Sequence, residues 1–184
     1  MQTSPPSIRD WTVSRWFNTD HTGFSTHDLD GRVVLAAAFQ MLCPACVEHT
    51  VPQLRKAAAL FPAEQVAVVG LHTVFEHHDA MTSAALQAFL HEYRVHFPVA
   101  VDAPAIDGGA VPVTMARLSL QGTPTVMLYD RSGRLRRQTL GHLSDMQLGA
   151  EITRLGAEPA GPSLDPALAE PAAGPGCDDV GCRP

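Results

Sequence analysis

The sequence predicts an α/β fold in which a sheet is covered by helices on both faces. Three short, continuous apolar runs, 33–39, 66–71 and 97–101, have the length and composition of buried strands. Helical patterns separate these runs, and a strand hairpin followed by a last helix ends the pattern near residue 155. Strands that alternate with helices are typical of a sheet with helices on both sides.

The chain before the first buried strand is predicted to be an arm, an edge strand and a loop. We expect residues 1–10 to form a loose N-terminal arm and residues 11–17 to form an edge strand. The polar segment 18–30 is predicted to be a loop. Asp30-Gly31 then gives a turn into the first buried strand.

The sequence Cys43-Pro44-Ala45-Cys46 lies where this strand ends and a helix over 47–60 begins. Pro44 takes the first helical position, where its missing N–H has no cost. A thiol at a helix N-terminus faces unpaired N–H groups and the positive end of the helix dipole, so the pKa of Cys43 should be lowered. Cys46, one turn further on, could attack a mixed disulfide formed at Cys43. Two buried structural cysteines, or half of a zinc site, are the alternative interpretations.

The next elements are a strand, a helix and a strand. Pro52 should kink the helix that follows the cysteines. A polar loop after the second buried run holds His72, Glu76, His77 and His78. An amphipathic helix is predicted over 81–96, capped by Thr82 or Ser83, and it leads into the third run.

The last third of the chain is predicted to form a short helix, a hairpin and a closing helix. These elements are expected at 113–120, at 122–130 paired with 134–140, and at 144–155. One domain is therefore predicted over 11–156, followed by a flexible Pro/Ala/Gly-rich tail over 157–184. The tail carries a second cysteine pair, Cys177 and Cys182.

Composition limits the choice of partners and compartment. The chain has 184 residues, of which 45 % are hydrophobic, and a net charge of -6, so no basic surface suggests nucleic acid or an anionic membrane. No apolar run is long enough to span a bilayer. The first ten residues lack the apolar core of a signal peptide, so we expect a cytoplasmic protein.

Three separated motifs resemble the thioredoxin superfamily, and in particular its TlpA/ResA-like disulfide reductases within the wider redoxin (AhpC/TSA-related) group. The entry to the first buried strand, 29–35, is similar to theirs, and the unit 66–101 resembles the strand–helix insertion that they carry. Gly122-Thr123-Pro124-Thr125 with the hairpin 129–134 resembles their cis-proline strand. The resemblance covers about residues 11–156 and implies a central mixed sheet flanked by helices.

The resemblance implies a thiol–disulfide oxidoreductase that needs no cofactor. Cys43 and Cys46 would be its catalytic pair, and disulfide-containing proteins or small thiols and an electron donor would be its partners. The bond before Pro124 would be cis, and the backbone of Thr123 would pair with the substrate. An ordinary proline that opens a strand is the alternative interpretation of Pro124.

The chain departs from the family pattern at two positions beside the cysteines. Leu42 stands where the family usually has Trp, and Ala37 stands where plain thioredoxin has a buried acid. Glu76 or His72 could replace that acid, or both could be solvated loop residues.

Two other functions remain as alternatives. A peroxiredoxin-like thiol peroxidase would need Thr three positions before its reactive cysteine, but Gln40 stands there. A thioredoxin-fold metal-binding protein could use the loop histidines with Cys177 and Cys182, although no metal is expected. The tail pair could instead be an auxiliary redox pair that exchanges electrons with Cys43 and Cys46, or two incidental thiols.

Overall fold

A computed structural model describes residues 5–159, and these residues form one six-stranded mixed sheet. The strands are β1 Val13–Phe17, β2 Val33–Phe39, β3 Val66–His72, β4 Val99–Asp102, β5 Thr125–Tyr129 and β6 Leu135–Leu140. Their order across the sheet is β1-β4-β3-β2-β5-β6. The central strands β2, β3 and β4 are parallel, while β1 pairs antiparallel with β4, and β5 pairs antiparallel with both β2 and β6.

Helices follow most of the strands. They are α1 Val51–Leu60, α2 Ser83–Glu92, α3 Val113–Arg117 and α4 Asp145–Ala157. Short 3-10 helices cover Ile8–Asp10 and Thr26–Leu29, and a π-helical turn covers Cys46–Thr50 directly before α1.

The core lies on both faces of the sheet, because every residue of β2 is buried. Side chains alternate along a strand, so odd-numbered residues of β2 pack on one face with α1, α2 and α4. Even-numbered residues pack on the other face with α3 and the N-terminal segment. The predicted α/β class with a mixed sheet and helices on both faces is therefore confirmed.

The N-terminal segment differs from the loose arm that the sequence predicts. Ile8 is almost completely buried, and its N–H donates to the carbonyl oxygen of Gly133 at 2.9 Å. Pro6 accepts a hydrogen bond from the Leu135 N–H at 2.8 Å. The indole N–H of Trp11 donates to the Tyr129 hydroxyl at 3.0 Å, inside the core. These contacts fix the segment to the β5–β6 hairpin and cover one face of the sheet.

Several element boundaries also differ from the predicted ones. Helix α2 is shorter than predicted because Arg94, at a φ of 51°, leaves the helical conformation. The third buried strand extends to Asp102, whose carboxylate is buried. Helix α4 continues to Ala157, one residue into the predicted tail. The predicted domain limits at residues 11 and 156 stay predictions.

No helix within residues 5–159 is both long enough and apolar enough to cross a bilayer.

Candidate active site

Cys43 and Cys46 lie just beyond the carboxyl end of β2, where the chain turns into a helix. Pro44 and Ala45 are the first helical residues, as the sequence predicts. The two cysteines form a disulfide with a Cα–Cα distance of 5.2 Å. The structure therefore shows the oxidised state of the pair.

The two sulfurs differ in their access to solvent. Cys43 is half-buried, whereas Cys46 is fully buried. The backbone N–H of Cys46 points at the Cys43 sulfur at a distance of 3.2 Å. In the reduced protein, this N–H would donate to a thiolate at Cys43 and stabilise its negative charge.

The helix that carries the cysteines contains a widened turn. The Val51 N–H donates to the carbonyl oxygen of Cys46, five residues earlier, instead of the usual four. Pro52 follows directly and has no N–H to continue the regular pattern. At the position where the sequence predicts a kink, the structure thus has a π-helical turn, a feature that is frequent at functional sites.

Thr123 and Pro124 lie against the cysteine pair. The carbonyl oxygen of Thr123 is 3.6 Å from the Cys43 sulfur. The Thr123–Pro124 peptide bond is cis, and the carbonyl oxygen of Pro124 accepts the Gly141 N–H at 2.8 Å. The structure thus brings together Cys43, Cys46, Thr123 and Pro124, which lie far apart in the sequence.

The main chain of Thr123 has an unused donor. Within residues 5–159, no backbone or side-chain acceptor bonds the Thr123 N–H. This residue is only partly buried. An extended peptide that approached Cys43 could therefore form a backbone hydrogen bond with Thr123.

The two predicted replacements for a buried acid lie in different surroundings. Glu76 is exposed on the loop after β3. His72 is buried at the end of β3, opposite Phe39, and burial lowers its pKa to about 4. Within the described part of the chain, neither side chain is hydrogen-bonded to Cys43 or Cys46.

The loop histidines that the sequence singles out do not gather around one point. Among residues 5–159, no three His, Cys, Asp or Glu side chains are arranged so that they could hold a metal ion. Cys177 and Cys182, the predicted tail pair, lie outside the described residues.

Two further histidines, on the helical turn after Cys46 and on the loop after β6, lie close to each other and were not predicted. The rings of His49 and His142 are 5.6 Å apart between their centroids. His49 is three residues after Cys46, a spacing that could have identified it from the sequence. His142 follows Gly141, the residue bonded to Pro124, and only the fold places it here. Both rings line an open cavity of about 350 Å³.

Exposed apolar side chains lie next to the cysteine motif, near the proline loop and in the cavity that His49 and His142 line. Leu42, directly before Cys43, is 57 % exposed. Leu140, at the end of β6, is equally exposed and lies near Gly122. Met146 is almost fully exposed on the first turn of α4. Apolar surface beside a reactive cysteine suits a partner that also brings apolar side chains.

Comparison with known proteins gives consistent matches over this domain. The family model described as Redoxin matches residues 6–151. A crystal structure of a thioredoxin-like superfamily protein is 49% identical, with a TM-score of 0.79, over 84% of this chain and 99% of that one. A thiol-disulfide isomerase from Corynebacterium glutamicum is 44% identical, with a TM-score of 0.78, over 84% of this chain and 98% of that one.

A more distant structure shares the fold alone. A thioredoxin-like protein, solved in solution in its oxidised form, is 20% identical with a TM-score of 0.66. The match covers 85% of this chain and 98% of that one. No curated protein sequence matches the chain.

Proposed function

Because the chain belongs to the Redoxin family and is a thiol–disulfide oxidoreductase, we propose that Cys43 is its attacking cysteine and Cys46 its resolving cysteine. The predicted resemblance to the thioredoxin superfamily and the predicted enzyme class are thereby confirmed. The assignment of roles rests on one observation: Cys43 is accessible, whereas Cys46 is buried behind it. Only the accessible sulfur can reach a disulfide on another molecule.

The reaction proceeds in two exchanges. The Cys43 thiolate attacks one sulfur of a substrate disulfide, forms a mixed disulfide and releases the other substrate sulfur as a thiolate, which takes up a proton. The Cys46 thiol then loses its proton and attacks the Cys43 sulfur, which releases the second substrate thiol and leaves the Cys43–Cys46 disulfide. The substrate gains two electrons and two protons, and an external dithiol must return them to the enzyme.

The loop around Pro124 lies where it can bind the backbone of a substrate. Thr123 faces Cys43 and offers an unpaired N–H, so a substrate backbone held there would carry its disulfide towards the sulfur. Proline brings no N–H of its own into this space. We therefore assign Thr123 and Pro124 to substrate binding, and disulfide-containing proteins or small disulfides to the substrate class.

Within the family, the TlpA/ResA-like reductases fit the chain better than the thiol peroxidases. The motif strand, the strand–helix insertion and the proline loop all support that subtype. The position three residues before Cys43 holds Gln40, which is buried and has no hydroxyl to orient a peroxide. We also propose that the protein is cytoplasmic, and fractionation of cells that make it tests this location.

Two serine variants test the assignment of roles. Cys46→Ser should accumulate a mixed disulfide at Cys43 with a peptide disulfide, because the resolving step is lost. Cys43→Ser should form no adduct and should not reduce insulin. Adducts are identified by mass spectrometry, and the unfolding curve of each variant shows whether it is folded. Adducts at Cys46 in folded Cys43→Ser, with activity retained, would reverse the two roles.

A further inference from the structure

An open groove of about 580 Å³ lies on the outer surface of α1, where this helix faces the segment between α2 and β4. Its lining residues come from α1 and from positions 94, 96 and 97: they are Pro52, Arg55, Lys56, Ala58, Ala59, Arg94, His96 and Phe97. The cysteines and the proline loop are not among them. What binds in this groove is therefore a separate question from what reacts at Cys43.

The rim of the groove is positively charged. Arg55, Lys56, Arg94 and His96 are all exposed, and no Asp or Glu lines the groove. Within residues 5–159, the side chains of Arg55 and Arg94 form no ion pair and no hydrogen bond, whereas Lys56 pairs with Asp145 at 3.1 Å. Unpaired positive charge is concentrated here on a chain whose net charge is -6, and it favours an anionic partner.

Arg94 occupies a strained backbone position. It follows Tyr93 at the end of α2 and has a φ of 51°, in the left-handed region that favours glycine. Its N–H donates to the carbonyl oxygen of His91, and the N–H of Val95 donates to that of Leu90, so the chain turns away from the helix here. Glycine would fit this turn better, so the presence of arginine points to a use for its side chain.

The floor of the groove is apolar and limits the kind of anion. Its hydrocarbon surface comes from Pro52, Ala58, Ala59 and Phe97. A bare inorganic anion would leave this surface without a contact. A peptide segment with both carboxylates and aliphatic side chains would instead meet the rim and the floor together.

A segment of this kind occurs in the same chain, outside the described residues. Residues 163–170 read Ser-Leu-Asp-Pro-Ala-Leu-Ala-Glu, with two carboxylates, two leucines and no basic residue. Because this segment is tethered to the domain, its effective concentration at the groove is on the order of 1 mM, so weak contacts are enough to hold it. A separate acidic peptide would have to reach that concentration to compete.

The end of α4 lies near the groove. The described residues end at Pro159, two residues after α4, and Gly156 in the last turn of this helix lines a cavity with Phe61. Phe61 also lines a second cavity, together with three residues of the groove, Ala58, His96 and Phe97. The five residues from position 159 to position 164 span up to about 17 Å when extended, which is about three turns of α1. The segment can therefore reach the groove past Phe61.

We propose that residues 163–170 bind in this groove and cover the outer surface of α1. The two carboxylates of the segment pair with the guanidinium groups of Arg55 and Arg94, and its two leucines pack on the apolar floor. The inference goes beyond the thiol chemistry and does not depend on which cysteine attacks, because the groove and the thiol site share no residue.

A nitroxide label on the segment reports where it lies. The label is attached to Ala167→Cys in the full chain, with the two native tail cysteines replaced by Ser and the catalytic pair kept as the disulfide. It should broaden the NMR signals of the Ala58 and Phe97 N–H groups. About 0.5 M salt should reduce this broadening at least about twofold, because the Debye length is then only about 4 Å. Broadening that is spread evenly over the domain, or confined to another face, would overturn the proposal.

Exchange of charges tests which groups form the contact. Arg55→Glu with Arg94→Glu should lower the broadening at least about fivefold, and the further changes Asp165→Arg and Glu170→Arg should restore it, because the charges are then reversed on both sides. Arg15→Glu, at an exposed position on β1 outside the groove, is the matched control and should change nothing. Loss of broadening without recovery in the exchanged protein, or full broadening after the two arginines are replaced, would refute the pairing.

Arg94→Gly separates the effect of the charge from that of folding. Glycine removes the cation and suits the left-handed backbone, so the broadening should fall at least about twofold while the midpoint of urea unfolding stays the same or rises. A mixture of isotope-labelled chains without nitroxide and unlabelled chains with nitroxide shows whether the contact is made within one molecule. Broadening in that mixture as strong as in the singly labelled chain would assign the groove to the tail of a second copy and overturn the proposal.

Discussion

The carbonyl oxygen of Thr123 lies 3.6 Å from the sulfur of Cys43, across 80 residues of sequence. The next carbonyl along the chain, that of Pro124, is bonded to Gly141 at the end of β6. The loop that faces the sulfur is therefore held by the sheet on its far side. Binding and chemistry at this site depend on how well that loop keeps its position.

Replacement of Pro124 by Ala should impair substrate docking more than stability. The variant gains an N–H beside the Cys43 sulfur and loses the restraint of the proline ring on the loop. We expect KM for a peptide disulfide to rise by about tenfold, equivalent to about 1.4 kcal/mol of binding. Steady-state kinetics and urea unfolding of the same preparations separate the two effects.

Pro62→Ala is the matched control for Pro124→Ala, because Pro62 lies on the exposed loop between α1 and β3. It should leave KM unchanged. If both variants raised KM equally, or if Pro124→Ala only lowered the midpoint of unfolding, Pro124 would have no special part in docking.

Gln53 connects α1 to the loop that carries His142. Its side-chain N–H groups donate to the Leu143 carbonyl oxygen at 2.8 Å and to an Asp145 carboxylate oxygen at 2.7 Å. Gln53→Met keeps the size of the side chain but leaves a buried carbonyl group without a partner, so the free energy of unfolding should fall by about 1–3 kcal/mol. Urea unfolding measures this change.

The same variant should alter the titration of Asp145. The hydrogen bond from Gln53 and then that from Lys56 lower the pKa of this carboxyl, so its pKa should rise when Gln53 is replaced. NMR titration of the Asp145 side chain measures that shift. Gln65→Met, at an exposed position without these bonds, should change neither quantity. A pKa of Asp145 that does not move would mean that the Gln53 contact is absent in solution.

Continuous apolar runs made the sheet predictable, because β2 and β3 are buried on both faces and contain no polar residue before His72. The N-terminal segment could not be predicted in the same way. Ile8 and Trp11 are isolated apolar residues in a polar stretch, and their burial depends on Gly133 and Tyr129, more than 100 residues later. Local patterns carry no information on such pairings.

The cysteine site was predictable in part for a similar reason. A helix start after a buried strand is a local feature, so Cys43 and Cys46 stand out in the sequence. The contact of Thr123 with Cys43 came from resemblance to a family and could not be worked out from spacing. The pairing of His49 with His142 depends on how the loop before α4 folds back, which the sequence does not reveal.

The buried imidazole of His72 should make the protein less stable in mild acid. Burial lowers its pKa in the folded protein to about 4, while the unfolded chain keeps the ordinary value of 6.5. Between these values the unfolded chain binds a proton that the folded protein does not bind. The stabilising contribution is therefore complete above pH 6.5 and is lost as the pH falls towards 4, by up to about 3 kcal/mol.

Other groups also change protonation between pH 6.5 and pH 4. The test therefore compares the free energy of unfolding of the unmodified protein with that of a His72 variant. Burial raises the pKa of Asp102, which works in the opposite direction, because the folded protein then takes up a proton more readily as the pH falls. Subtraction of the His72→Gln unfolding curve from that of the unmodified protein removes such shared contributions. A difference in unfolding free energy that stayed constant from pH 7 to pH 4.5 would show that His72 is not held neutral.

Gly70, in the middle of β3, marks a place where the sheet leaves no room for a side chain. A methyl group there would lie 2.9 Å from a ring carbon of Phe39 and 3.2 Å from a methyl carbon of Val99. Phe39 is the last residue of β2, and its ring is packed between His72 and Phe89, so it has little space to move. Gly70→Ala should therefore lower the free energy of unfolding by about 1–3 kcal/mol.

Gly149→Ala is the matched control, because a methyl group at that position meets no atom within 4 Å. Gly149 lies inside α4, where glycine is less favourable than alanine, so this variant should be more stable by about 0.5–1 kcal/mol. The opposite signs of the two changes, measured by urea unfolding, separate overpacking from a general effect of the added methyl group.

Because displacement of Phe39 also moves the strand end that leads to Cys43, Gly70→Ala should slow insulin reduction while Gly149→Ala should not. A Gly70→Ala protein as stable and as active as the unmodified one would mean that Phe39 can move aside, and that the motif is not held in place from this side of the sheet.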